Sequence, residues 1–372
     1  MNKNNQILKS MDEAKKLSQK FEVPLADILL LGLNMEGAYD PSIESDRMRF
    51  RMAPDEAAGR EFYFALTNTS NSRWEIKDGL MQFEGERVGA VGTSEEDTCD
   101  NTYWRRFSTI DGVVRGTELT INSNSRSFCS GCEFCGTYNL SPEDQAEKDL
   151  STPEKVRRKL DKILIENDIE DLSHLVEVGV VTGCFPNEDM TLQHLNMLHE
   201  VLREGYSFQG ELKYVGSQIR SKEALKDLAS HGLSGISQTV ECFERRDQLL
   251  QPKKRITLDY AREILENAKA EGVKTTLLYI MGLDGLSTFE KEMEPFLPHL
   301  TKMPVINTMQ EYVPGQASLR VKEAQSMEYY LQARKTMEKI IEPFKLKPNV
   351  WENYRGLWFT EYRGEDLDVI RI

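Results

Sequence analysis

The sequence lacks any long apolar segment, since no run of apolar residues reaches the roughly 18 that a membrane-spanning helix needs. Its N-terminal residues also lack the apolar core of a secretory signal peptide. We therefore predict a cytoplasmic protein with no membrane partner. Thiols stay reduced in that compartment, so the six cysteines are expected as free thiols or metal ligands and not as disulfides.

Positive charge is scarce as well. The chain has 47 Lys and Arg against 61 Asp and Glu, which gives a formal net charge of -14. Proteins that bind nucleic-acid backbones carry a basic face, so this balance argues against nucleic acid as a partner. With 372 residues, 39% hydrophobic and 29% charged, the chain otherwise has the composition of a globular protein of one or two domains.

The cysteines that are present concentrate in one loop. Cys129, Cys132 and Cys135 have the C-x2-C-x2-C spacing with which a four-cysteine ferredoxin motif begins. Asn139 occupies the position of the fourth cysteine in such a motif, and the next cysteine along the chain is Cys184. Three thiolates hold three irons of a cubic cluster, so the pattern indicates a site whose fourth iron is open to a small molecule.

The first 114 residues combine helical and strand-like patterns. Two short segments, 73–77 and 80–83, flank Asp78-Gly79, a dipeptide typical of a two-residue hairpin turn. We interpret residues 1–114 as a small N-terminal α+β lobe. The sequence leaves two roles open for it, a structural cap over the rest of the chain or a surface that binds substrate.

From residue 115 onward, strand and helix patterns alternate. Capping residues at Thr152, Ser221 and Thr257 mark helix starts, and a proline follows the first of them. The strands are predicted at 118–122, 176–181, 212–217, 236–240, 273–280 and 305–313. Six β/α units predict a parallel sheet with right-handed crossovers, and they are too few for an eight-fold barrel.

The predicted fold class is therefore α/β, with an open, partial (β/α)6 barrel over residues 115–322. A long helix and an aromatic tail follow, so residues 323–372 are expected as a C-terminal helical and aromatic extension that packs on the barrel. Ligands of such folds bind at the carboxyl ends of the strands. The cysteine loop follows the first strand and is thus expected at that end.

These features resemble the radical S-adenosylmethionine (radical SAM) superfamily. Cys132-Glu133-Phe134-Cys135 has the C-x-aromatic-C form of that superfamily's cluster loop, which follows the first strand of a partial (β/α)6 barrel. Later segments are similar to its strand-end patterns in the same order, at 182–188, 235–241, 274–285 and 311–315. The loop departs in one respect, because two residues and not the usual three separate Cys129 from Cys132.

The resemblance implies one [4Fe-4S] cluster held by Cys129, Cys132 and Cys135, with SAM bound to the fourth iron through its amino and carboxylate groups. It implies that an electron from a reductant such as flavodoxin or ferredoxin cleaves SAM to methionine and a 5′-deoxyadenosyl radical. That radical abstracts hydrogen from a substrate, while the protein binds and orients both molecules and excludes water.

The resemblance also places residues around SAM. It implies that Phe134 lies against the adenine, that Gly183 exposes carbonyls to the amino group and that Glu241 accepts hydrogen bonds from the ribose. The expected SAM-contacting residues are Phe134, Gly183, Ser217, Arg220, Glu241, Gly282 and Leu283. A structural role stays open for these positions, such as loop packing for Phe134 or a surface position for Arg220.

Candidate substrate contacts come from the last strand and the tail. Glu311, Tyr312, Tyr354 and Trp358 are expected on the substrate side, where acidic and phenolic groups suit a polar, amine-bearing molecule. In the alternative interpretation the tail only covers the core, and Glu311 pairs with Arg320 at the surface.

The function that the sequence favours is hydrogen abstraction from a small polar metabolite, in a biosynthetic rearrangement, lyase or redox reaction. No cysteine follows Cys242, so we do not expect the auxiliary cluster of peptide-modifying relatives. Two alternatives stay open. One is modification of tRNA or a peptide by the same chemistry, and the other is a non-catalytic protein that binds zinc or an iron–sulfur cluster.

Overall fold

The computed structural model describes residues 6–57, 59–96, 102–104, 107–110, 113–123, 131–135, 150–312, 315–348 and 356–367. Cys129, Tyr354 and the predicted end of the sixth strand at Val313 lie outside these ranges. Within them, no helix combines the length and the apolar character needed to cross a membrane.

The N-terminal lobe consists of two helices followed by antiparallel strands. The bounds are α1 Met11–Phe21, α2 Leu25–Glu36, β1 Arg47–Pro54, β2 Phe62–Thr67, β3 Trp74–Lys77, β4 Leu80–Phe83, β5 Glu86–Val91 and β6 Glu95–Glu96. These strands form one sheet in the order β2-β1-β5-β4-β3, and β6 also pairs antiparallel with β1. The predicted hairpin is confirmed, because β3 and β4 pair across Asp78 and Gly79, whose φ angles of 51° and 73° suit a tight hairpin turn.

A second sheet forms the centre of the fold. Its strands are β7 Thr102–Trp104, β10 Glu118–Ser123, β11 Glu177–Thr182, β12 Glu211–Gly216, β13 Leu233–Glu241, β14 Lys274–Met281 and β15 Val305–Thr308, while β8 Phe107–Ile110 and β9 Val113–Gly116 form a separate hairpin. The six strands from β10 to β15 run parallel and pair in chain order, and β7 adds antiparallel to β10. The predicted partial (β/α)6 architecture is confirmed.

Helices connect the parallel strands, and capping side chains fix where several of them begin. Their bounds are α3 Pro153–Glu166, α4 Glu188–Tyr206, α5 Lys222–Ser230, α6 Arg246–Leu249, α7 Leu258–Ala270, α8 Leu286–Met293 and α9 Met327–Ile341. Thr152, Ser221 and Thr257 each accept a hydrogen bond from the backbone N–H three residues further on, as the sequence predicted.

The two faces of the parallel sheet differ in burial. Val180 and Tyr214 pair in register and belong to the hydrophobic core that the sheet shares with its helices. The next residues, Val181 and Val215, also pair in register but are half-buried. Because successive side chains of a strand point to opposite faces, Val181 and Val215 lie on the face away from the helices. We call it the inner face.

Two element boundaries differ from the prediction. The sixth parallel strand ends at Thr308 and not near residue 313, since its partner β14 ends at Met281, the residue that pairs with Thr308. The last long helix begins at Met327 and not near residue 323. Residues 322–325 instead form a 3-10 turn. Its first hydrogen bond runs from the N–H of Ala324 to the carbonyl of Val321 (3.0 Å).

A buried ion pair joins the N-terminal lobe to the C-terminal extension. Arg334 of α9 donates from Nη1 to Oδ2 of Asp27 in α2 (2.5 Å), and both side chains are almost fully buried. Asp27 also accepts from the backbone N–H groups of Phe359 and Thr360 in the tail. One carboxylate thus holds a helix of the lobe, the last long helix and the tail together.

Candidate cluster and cofactor site

A tight turn presents two of the three predicted cluster cysteines. The backbone N–H of Cys135 donates to the carbonyl of Cys132 (2.8 Å), and Gly131 before the turn has a φ of +77°. Glu133 N–H donates to the carbonyl of Leu249 (3.0 Å). This bond ties the turn to the segment that follows β13, at the carboxyl edge of the parallel sheet.

Cys132 is half-buried beside charged groups. Burial and the neighbouring Glu241 carboxylate raise the pKa of its thiol to about 12, against the opposing effects of the Lys253 ammonium and the backbone N–H of Gln251. Within the described ranges no three His, Cys, Asp or Glu side chains converge as a metal site, and Cys129, the third expected ligand, lies outside those ranges. A metal that binds Cys132 must displace the proton of this thiol.

Phe134 and Leu283 meet in one small apolar cluster at the same edge. Phe134 is 6% exposed and Leu283 is fully buried. The other buried members are Cys242, Leu249, Leu250 and Met309. Cys132 packs against this cluster. The fold therefore brings the aromatic residue of the cysteine loop to the ends of the fourth and fifth parallel strands.

Glu241 ends β13 at a distortion of the sheet. The register with β14 shifts between Thr239 and Glu241, and Glu241 has a φ of +69°, which non-glycine residues seldom adopt. Its Oε1 accepts from Nζ of Lys253 (2.7 Å), and these side chains are only 11% and 14% exposed. Its Oε2 is buried with no hydrogen-bond partner in the described part of the chain. Strain of this kind clusters at functional sites.

The predicted residues after the second and third parallel strands lie at the same edge. Gly183 directly follows β11, and Ser217 directly follows β12. Ser217 is 1% exposed, and its Oγ has no hydrogen-bond partner among the described residues. Arg220 donates from Nη2 to Oε1 of Gln218 (3.0 Å), while its Nε is buried and makes no hydrogen bond within the described ranges. A buried hydroxyl and a buried guanidinium N–H at this edge thus both lack a partner among the described residues.

Gly282 lies where the fifth strand meets the C-terminal helix. It has a φ of +112°, and an added Cβ would come within 3.0 Å of Tyr330 Oη and 3.3 Å of Met309 Cβ. Its carbonyl accepts from the N–H of Val321 (2.9 Å). Close packing and backbone conformation therefore account for the glycine, and its expected contact with SAM stays a prediction.

One glutamine joins the segment that follows the sixth strand to the cysteine loop. Gln316 donates from Nε2 to the carbonyl of Glu133 (2.9 Å) and accepts at Oε1 from the N–H of Tyr312 (2.9 Å). Glu311 and Tyr312 are half-buried, and the Glu311 carboxylate accepts from the N–H of Gly315 (2.6 Å). The structure thus brings two of the predicted substrate residues close to the cysteine loop, through a residue that no sequence pattern marks.

The N-terminal lobe contacts the same place. The guanidinium of Arg47 in β1 lies over the ring of Tyr312 (4.8 Å to the ring centre), and Thr67 of β2 donates to the carbonyl of Glu311 (2.6 Å). The lobe therefore covers the segment that follows the sixth strand, which Gln316 links to the cysteine loop. This position fits both roles that the sequence left open for the lobe.

Trp358 has the core-covering setting of the alternative interpretation, whereas Arg320 does not have the surface setting that the same interpretation gave it. Trp358 is 2% exposed and donates from Nε1 to Oε1 of Glu338 (2.8 Å), in the packing between the tail and α9. Arg320 is buried and donates to the carbonyl of Met309 (2.8 Å), so it is not a surface partner of Glu311. The setting of Trp358 corresponds to a tail that covers the core, and its contact with a substrate stays a prediction.

Sequence reasoning missed the role of Asp284. Its buried carboxylate accepts from the N–H groups of Phe243 (2.7 Å) and Glu244 (3.0 Å) and from the hydroxyl of Tyr279 (2.9 Å). It therefore fixes the chain just after Glu241. The available signal was an acidic residue inside a glycine-flanked segment at the end of an apolar strand.

The chain matches no known protein-family model and no curated protein. Solved structures similar to it include SuiB of Streptococcus suis bound to S-adenosylmethionine, at 11% identity over 62% of this chain and 48% of SuiB, with a TM-score of 0.41. SuiB bound to its precursor peptide SuiA has 11% identity over 63% and 48%, with a TM-score of 0.42. HydG, a maturase of the [FeFe]-hydrogenase, has 16% identity over 61% and 49%, with a TM-score of 0.41. The chain spans about half the length of these solved structures.

Proposed function

We propose that this chain is a radical SAM enzyme, with one [4Fe-4S] cluster bound by Cys129, Cys132 and Cys135 and with SAM bound beside it. The observation that carries the proposal is the position of the turn that holds Cys132 and Cys135. This turn lies at the carboxyl edge of six parallel strands, packed against the Phe134 cluster and beside the strained, buried Glu241. Ligands of parallel α/β folds bind at this edge.

The residues present fit both groups. Thiolates are the usual ligands of iron–sulfur clusters, and the turn supplies two of them close together. Three buried polar atoms at the same edge of the sheet have no hydrogen-bond partner among the described residues: Glu241 Oε2, Ser217 Oγ and Arg220 Nε. A carboxylate, a hydroxyl and a guanidinium complement the ribose hydroxyls, the amino group and the carboxylate that SAM carries.

When bound, the cluster and SAM supply the reductive cleavage that yields methionine and a 5′-deoxyadenosyl radical, which removes hydrogen from a substrate. The residues of the chain bind and orient. Lys253 fixes one oxygen of Glu241, so the other oxygen is held ready to accept a hydrogen bond. The apolar cluster around Phe134 and Leu283 excludes water from one side of the site. The backbones of Gly183 and Gly282, which follow the second and fifth parallel strands, are the expected main-chain contacts with SAM.

We further propose a small metabolite as the substrate and a flavodoxin- or ferredoxin-type protein as the electron donor, in the cytoplasm. The net charge of -14 favours a substrate other than nucleic acid. Glu311 and Tyr312, which follow the sixth strand, are the candidate substrate-side residues, and Gln316 links Tyr312 to the cysteine loop. The N-terminal lobe, whose described elements run from α1 to β6, serves as a cap over this end of the barrel, while β7 within the predicted range 1–114 belongs to the central sheet.

The test is anaerobic reconstitution with iron and sulfide, followed by reduction in the presence of SAM. We expect about four irons per chain, the absorbance of a [4Fe-4S] cluster and formation of 5′-deoxyadenosine. Zinc in place of iron and sulfide in protein purified without oxygen, together with no 5′-deoxyadenosine after reconstitution, would overturn the proposal in favour of a structural metal site.

A further inference from the structure

The inner face of the parallel sheet carries buried hydroxyl groups without partners. Ser237 and Thr239 stand two residues apart on β13 and are 1% and 7% exposed. Ser237 pairs in register with Val215 and Thr239 with Leu278, so both side chains lie on the inner face. Neither Ser237 Oγ nor Thr239 Oγ1 has a hydrogen-bond partner among the described residues.

Asn307 adds an amide to the same face. It pairs in register with Ile280 of β14, and its Oδ1 is buried with no hydrogen-bond partner in the described part of the chain. Ile280 packs against the apolar cluster that contains Phe134, which places this end of the inner face next to the cysteine loop. We call Ser237, Thr239 and Asn307 the inner polar patch.

These polar atoms are suited to bind a molecule that enters the barrel. A buried polar group that loses its water without gaining a partner destabilises the folded protein. The neighbouring inner-face residues Val181 and Val215 are only half-buried. The patch therefore combines unsatisfied hydrogen-bonding groups with aliphatic neighbours that are not fully packed.

The charged groups of the inner face are already paired. At the amino end of the strands, Glu177 contacts both Lys213 (4.0 Å) and Lys302 (3.6 Å). At the carboxyl end, Glu241 pairs with Lys253 (2.7 Å). Between these two ends, the described inner face presents hydroxyl, amide and aliphatic groups. A charged group placed there would lose its water without meeting a counter-charge.

We infer that the inner polar patch binds the substrate, and that the substrate is a neutral molecule with hydroxyl or amide groups and an apolar portion. This inference rests on the proposed function, because the patch forms the substrate side of the same site. The hydroxyls of Ser237 and Thr239 donate or accept, Asn307 Oδ1 accepts, and Val181 and Leu278 contact the apolar portion. Such a substrate differs from the amine-bearing molecule that the acidic and phenolic residues of the last strand suggested.

The first test needs no cofactor and measures the thermal unfolding midpoint of the full chain. Ser237→Ala and Thr239→Val remove hydroxyls that have no partner, so the midpoint should stay level or rise. Ser234→Ala is the matched control on the same strand, because Ser234 Oγ donates to the carbonyl of Leu212 (3.0 Å) and its loss should lower the midpoint. An equal fall for all three variants would mean that the patch holds the fold, and would overturn the inference.

The second test uses cluster-loaded protein, a reductant and SAM. The probe is a small-molecule extract of cells grown in deuterated medium, separated by ion exchange into neutral, anionic and cationic fractions. Deuterium should enter 5′-deoxyadenosine when the neutral fraction is added. With Ser237→Ala and Thr239→Val combined, we expect this incorporation to fall about tenfold or more, since two hydrogen bonds are lost, while SAM cleavage continues.

The outcomes distinguish a failure of this inference from a failure of the proposed radical SAM function on which it rests. Deuterium from a charged fraction, or from no fraction while SAM is cleaved, would overturn the neutral substrate and leave the radical SAM assignment standing. Full incorporation by the double variant would show that the patch does not bind substrate. Failure of the unaltered protein to cleave SAM would instead contradict the proposed function.

Discussion

Lys253 Nζ lies 2.7 Å from Glu241 Oε1, and this largely buried ion pair stands beside Cys132. Its two members act on the cysteine in opposite directions, because the carboxylate raises the pKa of the thiol and the ammonium lowers it. The pair therefore fixes a cation next to an expected cluster ligand. Net charge and hydrogen bonds near the sulfurs are among the factors that set the reduction potential of an iron–sulfur cluster.

Lys253→Met should make the cluster harder to reduce. The substitution keeps most of the side-chain length but removes a positive charge that favours the added electron. The measurement is a redox titration of the reconstituted protein followed by electron paramagnetic resonance. Lys254→Met is the control, because Lys254 is the next residue and is exposed. Equal potentials for both variants would contradict an ammonium close to the cluster.

Glu241→Gln should weaken SAM binding and spare the cluster. Loss of a charge-assisted hydrogen bond costs about 1.5–3 kcal/mol, or about a ten- to hundred-fold higher dissociation constant. Anaerobic calorimetry with SAM measures the affinity, and cluster absorbance checks that the site is intact. Glu244→Gln, three residues further along and exposed, serves as the control. A dissociation constant like that of the control would show that Glu241 does not contact SAM.

Cys132→Ala and Cys135→Ala should each abolish cluster absorbance and SAM cleavage together, because each removes a ligand. Iron and sulfide content after reconstitution gives a reading that does not depend on turnover. Cys184→Ala provides the comparison, since Cys184 is buried outside the cysteine loop and its variant should still take up the cluster. SAM cleavage by Cys132→Ala at the wild-type rate would refute the ligand assignment.

Asp27→Asn should lower the free energy of unfolding by about 1.5–3 kcal/mol, because it removes one of the two carboxylates that pair with the buried Arg334 guanidinium and leaves only Glu338 (3.1 Å). Urea unfolding measures the loss. Asp55→Asn is the control, since Asp55 pairs with Arg87 at the surface (2.8 Å), and that change should have little effect. Similar results for both variants would mean that the Asp27 pair does not join the lobe to the tail.

Gly282→Ala should destabilise the chain more than Gly272→Ala. Both glycines have a positive φ, so an alanine at either position costs about 1–2 kcal/mol in backbone strain. Only at Gly282 does the new Cβ also approach other atoms closely, at 3.0 Å from Tyr330 Oη, which adds about 1–3 kcal/mol. Unfolding midpoints measured side by side test this difference, and equal shifts would show that close packing is not the reason for Gly282.

The β/α order could be predicted from the sequence because its signals are local. The caps at Thr152, Ser221 and Thr257 bond a backbone group only three residues away, so the residue type itself reports where the helix starts. The cysteine loop was recognisable for a similar reason, since its expected ligands lie within a few positions of each other.

The supports of the site could not be predicted, because they depend on residues far apart in sequence. Gln316 and Asp284 occupy their positions through backbone groups on other loops, and no short pattern encodes those contacts. An aromatic tail looks the same whether it covers a core or lines a pocket, so the sequence left the setting of Trp358 open. Ser237 and Thr239 became notable only when the register placed them on the inner face.

The bond between Gln316 and the Glu133 carbonyl spans 183 positions of the chain. During translation the cysteines leave the ribosome early, whereas the side chain that braces their loop follows only after most of the barrel has been made. The cysteines are thus synthesised well before the residue that braces their loop. Under the proposed function, iron and sulfide can reach the braced form of the loop only after synthesis has passed Gln316.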